Sequence, residues 1–262
     1  LVEVVHQNQP RALVSGRAGH GLGDYQTLGD MEVPIVNIDG LWESVDTTND
    51  SWAYAWYDEN WKSPKQILER LIACVGRGGT YMLNIGPRGD GSVSLRCAES
   101  LRAAGDWIAR YPQVVYDVEG SPWQHAMPWG DVTRKNKTFF LSVFHWPKSG
   151  ELYLPNVQQD VERVKLLQSS GSVDLVCERR GKHIVIRVPA KAPEVLASVL
   201  ELNFTEIPII DPALTIDPEA ITRLPVEFAD VGGLKKSEKR WMEKFGEWKR
   251  IVHGHGFDTE AE

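Results

Sequence analysis

Cysteine is scarce in this 262-residue sequence. Cys74, Cys97 and Cys177 stand far apart, without the paired spacing of a metal knuckle or of a disulfide framework. No apolar run approaches the roughly 18 residues needed to cross a bilayer. No basic, apolar and small-residue leader of the secretory type opens the chain. Positive charge is outweighed: 29 Lys and Arg against 36 Asp and Glu leave a net charge of -7, which argues against a nucleic-acid partner. A G-x-S-x-G elbow, a Walker A loop and a Cys–His pair are all missing. The histidines show no ligand spacing with acidic partners, so neither a metal nor a cofactor is expected. GPRGDG at 86–91 is rich in glycine but lacks the strand-to-helix setting of a phosphate cradle.

Tryptophan, by contrast, is abundant, with ten copies. Its flat ring either fills a core or stacks on an apolar face such as that of a sugar. The copies around residues 42–61 lie in a stretch dense in Asp, Asn, Thr and Tyr and are the candidates for sugar contact; core filling is the expectation for the rest.

Residues 62–91 carry the clearest local pattern. Ser63 is an N-cap residue and Pro64 suits the first helical position. Ile67, Leu68, Leu71, Ile72 and Val75 recur at helical spacing, and Gly78-Gly79 stops the helix. Tyr81 to Ile85 then reads as a strand buried on both faces, ending in Asn84, a polar residue that needs partners. Further elements are a helix over 1–9, a strand at 12–15, a strand at 33–38 and an amphipathic helix over 94–111, with long loops at 16–26 and 39–61. This alternation is that of a parallel α/β fold, whose loops after the strand ends carry chemistry. His20, between two glycines in the first loop, is either exposed or a sugar contact. Among Asp24, Asp30, Glu32, Asp39, Glu43 and Asp46, a pair of carboxyls flanking a bond is what glycoside hydrolysis needs.

From 118 to about 205 the pattern changes to short runs at 138–145, 151–154, 161–167, 172–177, 183–188 and 197–203, separated by turns. Such spacing predicts an antiparallel β-sandwich. Pro208, Pro212, Pro218 and Pro225 mark 206–228 as a linker. Residues 229–262, with a charge run at 235–240 and then Trp241, Phe245 and Trp248, read as the start of a further module that the chain truncates.

SGR (15–17), GDYQTLGDMEVP (23–34), LWES (41–44), NDSWAYAWYDENWKSPKQILERLI (49–72) and GRGGTYMLNIGPRGDG (76–91), in that order, resemble family 29 glycoside hydrolases, the α-L-fucosidases. The resemblance covers residues 1 to about 205. It implies the C-terminal half of a (β/α)8-like TIM barrel over 1–117 and a β-sandwich over 118–205. It also implies retaining hydrolysis of terminal α-L-fucosyl linkages in oligosaccharides or glycoconjugates, outside the cytoplasm. The nucleophilic Asp of that family belongs to a strand before the first helix, so the fragment is expected to lack it and to be inactive alone. Arg17 matches the sugar-site arginine. The acid/base falls in the loop at 23–34, with Asp30 first, Glu32 second and Glu43 of the W-E motif third. Trp42, Trp52 and Tyr54 are the expected pocket walls. Two other readings share the fold: a non-catalytic carbohydrate-binding protein, and a glycosidase of different sugar specificity such as a galactosidase.

Overall fold

A computed structural model describes residues 1–19, 22–34, 37–123, 125–211, 235–241 and 249–255. Helix α1 (Val2–Asn8) buries none of its residues. Strands β1 (Gln26–Thr27), β2 (Trp42–Thr47) and β3 (Thr80–Asn84) form a parallel three-stranded sheet in that order. Helix α2 (Pro64–Gly76) links β2 to β3, and α3 (Leu95–Arg110) follows β3.

The ends of α2 form as the sequence predicts. Ser63 Oγ accepts from the Gln66 backbone N–H while the Gln66 side chain accepts from the Ser63 backbone, a reciprocal capping box with Pro64 at the first position. At the other end Gly78 takes φ +77°, its N–H donating to Val75 O and that of Gly79 to Cys74 O. This is a Schellman closure, and the left-handed residue favours glycine. Gly79 has a second duty: a Cβ there would lie 2.2 Å from the Trp42 ring.

Two expected strands are corrected. The one at 12–15 reduces to a single parallel bridge between Ser15 and Tyr25. Val33, Pro34, Asn37 and Ile38 are not in a strand (residues 35–36 lie outside the described set), and the strand is Trp42–Thr47, inside the expected loop. Hydropathy misses it because Ser44, Asp46 and Thr47 are polar yet buried. β3 also departs from a strand buried on both faces: Tyr81 and Leu83 pack toward the helices, whereas Met82 is 41% exposed.

Beyond α3 the chain is antiparallel. Strands β4 (Gly130–Lys135), β5 (Thr138–Val143), β6 (Glu151–Leu154), β7 (Val161–Gln168), β8 (Gly171–Asp174), β9 (Cys177–Arg180), β10 (His183–Arg187) and β11 (Ser198–Phe204) make two sheets, β4-β5-β11-β7-β8 and β6-β10-β9. Their facing sides share one core, in which Phe139, Leu141, Leu200 and Phe204 meet Leu152, Leu154, Ile184 and Ile186. The five-stranded sheet is apolar on its other side too. Phe140, Phe144 and Val199 pack against Ile67, Leu68 and Ile72 of α2 and Trp107 of α3. Hence β5 reads TFFLSV, buried without alternation, as in a strand covered on both faces. Polar ties reinforce this seam: Trp107 Nε1 donates to Ala197 O (2.9 Å), Lys65 Nζ to Phe144 O (2.7 Å), and buried Arg77 pairs with Asp131 (3.0 Å).

Of the expected linker, residues 212–228 lie outside the described set. Ile210 bridges to Val157, so the chain stays on the sandwich at least that far. Within 229–262 the described residues form a hairpin, β12 (Lys235–Trp241) and β13 (Lys249–His255), which pair with each other.

Candidate functional site

The parallel strands place four loops at one rim. Arg17 follows the Ser15 bridge, Asp30 lies three residues past β1, residues 48–62 follow β2, and residues 85–91 follow β3. In parallel α/β proteins the carboxyl ends of the strands are where ligands bind.

Arg17 and Asp30 come together there. The guanidinium donates to Asp30 Oδ1, to Thr27 Oγ1 (3.3 Å) and to Leu28 O (3.5 Å), so it bridges the end of β1 and the loop beyond it. The loop is tightly pinned. Glu32, buried, accepts from the Gly29 N–H (2.9 Å), and its own carbonyl accepts from Ser44 Oγ (2.6 Å). Met31 takes φ +59°, rare for a residue with a side chain; its buried side chain, its N–H bond to Val45 O (2.7 Å) and an Arg70 donor on its carbonyl hold it there. Asp30 therefore reaches the rim on a fixed backbone. Glu32 turns inward as a tie for the same loop.

β2 alternates by strand geometry. Trp42, Ser44 and Asp46 face α2, and Glu43, Val45 and Thr47 face the other way. Trp42 is accordingly not a pocket wall: it is 2% exposed, lies over Gly79 and donates Nε1 to Arg77 O. A bulky residue at the first position of a strand that faces a helix is core. Glu43 is half-buried on the opposite side, beside Thr80. Asp46, fully buried, accepts from Arg70 and from the Tyr81 hydroxyl (2.8 Å) and pairs with Lys62 (3.2 Å). Burial pulls the Lys62 ammonium below its ordinary range, with Asp46 opposing; burial and Asp46 push the Tyr81 phenol up. Cys74, beneath this cluster, is pushed up to about 12 by burial and is inert as a nucleophile. Asp24 ties α1 to the loop through Val14 N–H (2.7 Å) and His6 (3.0 Å). Acidic residues from one stretch of sequence thus separate into rim, tie and core.

Thr47 and Asn84 carry the floor of the rim. Asn84 Nδ2 donates to Thr47 Oγ1 (3.1 Å) and to Trp52 O (2.9 Å), joining β3 to the loop after β2. Trp52 and Tyr54 are 38% and 41% exposed, and Arg88 stands over Tyr54 at 5.6 Å. Trp56, within the tryptophan-rich stretch at 42–61, and Tyr57 are 78% and 67% exposed, and Asp58 beside them is buried. His20 lies outside the described residues. A separate concavity of about 500 Å³ lies between α2 and the sandwich, lined by Arg77, Asp131, His125 and His145. Among the described residues no cluster of His, Cys, Asp and Glu is arranged to hold a metal ion.

Residues 1–113, the segment that carries the rim, match the profile of Alpha-L-fucosidase. That segment is similar to α-L-fucosidases. A plasma alpha-L-fucosidase of Pongo abelii is 27% identical over 179 residues, covering 64% of this chain. The chain spans 38% of the length of that relative. An alpha-L-fucosidase from Vibrio sp. strain EJY3 superposes with a TM-score of 0.73 at 24% identity over 82% of this chain and 40% of its own. A Thermotoga maritima alpha-fucosidase solved in complex with fucose gives 0.63 at 24% identity over 76% of this chain and 47% of its own. These two likenesses cover more of the chain than residues 1–113 and show a shared fold.

Proposed function

We propose that this chain forms part of a retaining exo-α-L-fucosidase that removes terminal fucose from oligosaccharides or glycoconjugates. Residues 1–117 would supply the C-terminal half of a (β/α)8-like barrel, 118–205 a sandwich buttressing it, 206–228 a linker and 229–262 a further module. The observation that carries this is the Arg17–Asp30 pair on a pinned loop at the carboxyl rim of a segment similar to α-L-fucosidases. Arg17 offers forked donors to a sugar hydroxyl. Asp30, half-exposed beside it, is the acid/base of first choice, and Glu43 is held in reserve on the side of β2 that faces away from α2. Glu32 keeps the loop in shape. Trp52 and Tyr54 line the sugar pocket, where a ring face meets the apolar side of fucose. The nucleophile comes from sequence preceding Leu1. The plasma relative's name favours an extracytoplasmic location.

The test uses the full-length polypeptide that contains these residues. Release of fucose from an aryl α-L-fucoside, with the α-anomer formed first, is the expected outcome. Faster release of galactose from the matching galactoside would overturn the sugar assignment. Asp30→Asn should slow a poor leaving group about 100-fold, within the usual span of general-acid catalysis, and a good one far less. Equal loss on both leaving groups removes Asp30 from the acid role, and the same pair of measurements on Glu43→Gln then decides for or against Glu43.

A further inference from the structure

The loop after β2 displays two large, exposed aromatic rings. Trp56 and Tyr57 are the most exposed of its rings, at 78% and 67%. They pack edge to face on each other, ring centres 5.8 Å apart at 87°. An open corner of this kind loses favourable burial unless something occupies it.

The corner is built on a rigid frame. Asp58, 9% exposed, accepts from the N–H groups of Asp50 (3.1 Å) and Asn60 (3.2 Å), and its own N–H donates to Ala55 O (3.1 Å). Asn60 Nδ2 donates to Asp50 (2.9 Å), closing the loop at its base. On the other flank Gly86 lies so close to the loop that a Cβ there would come within 2.7 Å of Ala53. The backbone that carries the two rings is therefore held in place, which lowers the ordering cost of binding on them. Polar side chains stand nearby: Arg88 over Tyr54, and the Asp50–Asn60 pair. Flat apolar faces with polar neighbours suit a pyranose, which has C–H faces and an equatorial belt of hydroxyls. The loop leaves the same carboxyl rim as Arg17 and Asp30.

We propose that Trp56 and Tyr57 form a leaving-group subsite, which holds a sugar ring of the glycan to which fucose is attached. This rests on the fucosidase reading and adds a preference for fucosylated oligosaccharides over simple aryl fucosides. It makes these two rings determinants of specificity, with no part in bond cleavage.

The experiment measures kcat/KM of the full-length polypeptide on an aryl α-L-fucoside and on a fucosylated trisaccharide, for the wild type, Trp56→Ala, Tyr57→Ala and Trp56→Phe. The ratio of trisaccharide to aryl-fucoside specificity should fall about fivefold in Trp56→Ala, the size of one aromatic contact, mostly through KM. Trp56→Phe should restore most of it. A ratio unchanged in both alanine variants overturns the subsite, as does a fall that phenylalanine does not rescue. A wild type that cleaves neither substrate overturns the fucosidase reading and takes the subsite with it; cleavage of both with an unmoved ratio overturns the subsite alone.

Discussion

At the scale of single residues, one buried ion pair crosses the apolar seam between α2 and the sandwich. Arg77 and Asp131 lie at 3% and 12% side-chain exposure, and the guanidinium also reaches Ala73 O. Arg77→Ala strands a carboxylate in the seam, which typically costs about 3–5 kcal/mol, whereas a paired Arg77→Met, Asp131→Leu change should recover most of that. Urea denaturation of the three proteins measures both. Acid behaves differently at two carboxyls. Hydrogen bonds from Arg180 and from the Tyr153 hydroxyl hold Glu151 down to about 2, against an ordinary 4.5. Its contribution is complete above pH 4.5 and is lost as pH falls toward 2. Burial raises Asp131 despite Arg77, so its charged form weakens the fold as pH rises through its folded value. Glu151→Gln should flatten the melting temperature between pH 4.5 and 2.

Among the elements, the unit from Ser63 to Asn84 turns on two glycines with different duties. Gly79→Ala drives a methyl into the Trp42 ring, so melting should fall by several degrees, as overpacking costs about 1–3 kcal/mol. Gly78→Ala tests something else, the left-handed residue of the helix stop, where nothing crowds the added carbon. Helix α2 was legible because its signals are local: a capping box, a proline, a 3.6-residue stripe and a glycine pair. Strands β6, β7, β10 and β11 were legible through their short runs and turns, and β5 as an apolar run; β4 and β9 were not read as strands. β2 was not, since its buried positions are filled by Ser44, Asp46 and Thr47, whose partners Glu32, Arg70 and Asn84 are distant in sequence. At the site, Arg17, Asp30 and Glu32 could be read as a neighbourhood. Their division into rim pair and inward tie needed the backbone turn at Met31. Trp42 misled for a related reason: composition gives the number of tryptophans, and only strand facing tells which reach solvent.

On the scale of the whole molecule, the five-stranded sheet has two apolar sides and two different covers. One side closes against the β6-β10-β9 sheet and the other against α2 and α3. A fragment spanning 118–211 alone should thus bind a hydrophobic dye such as ANS and self-associate, while the chain from residue 1 does so much less. Replacing Phe140 and Val199 with serine in that fragment should reduce the dye signal without removing the shared core.

The same two-sided sheet sets a schedule for synthesis. When α2 and α3 have left the ribosome, their cover has yet to be made, because Phe140 and Val199 lie 30 residues or more beyond the end of α3. Until that stretch emerges and pairs, an apolar helical surface waits in the open, a natural customer for a holding chaperone. Placing rare codons just before residue 138 would lengthen that wait and lower the soluble yield of a protein whose sequence had not changed.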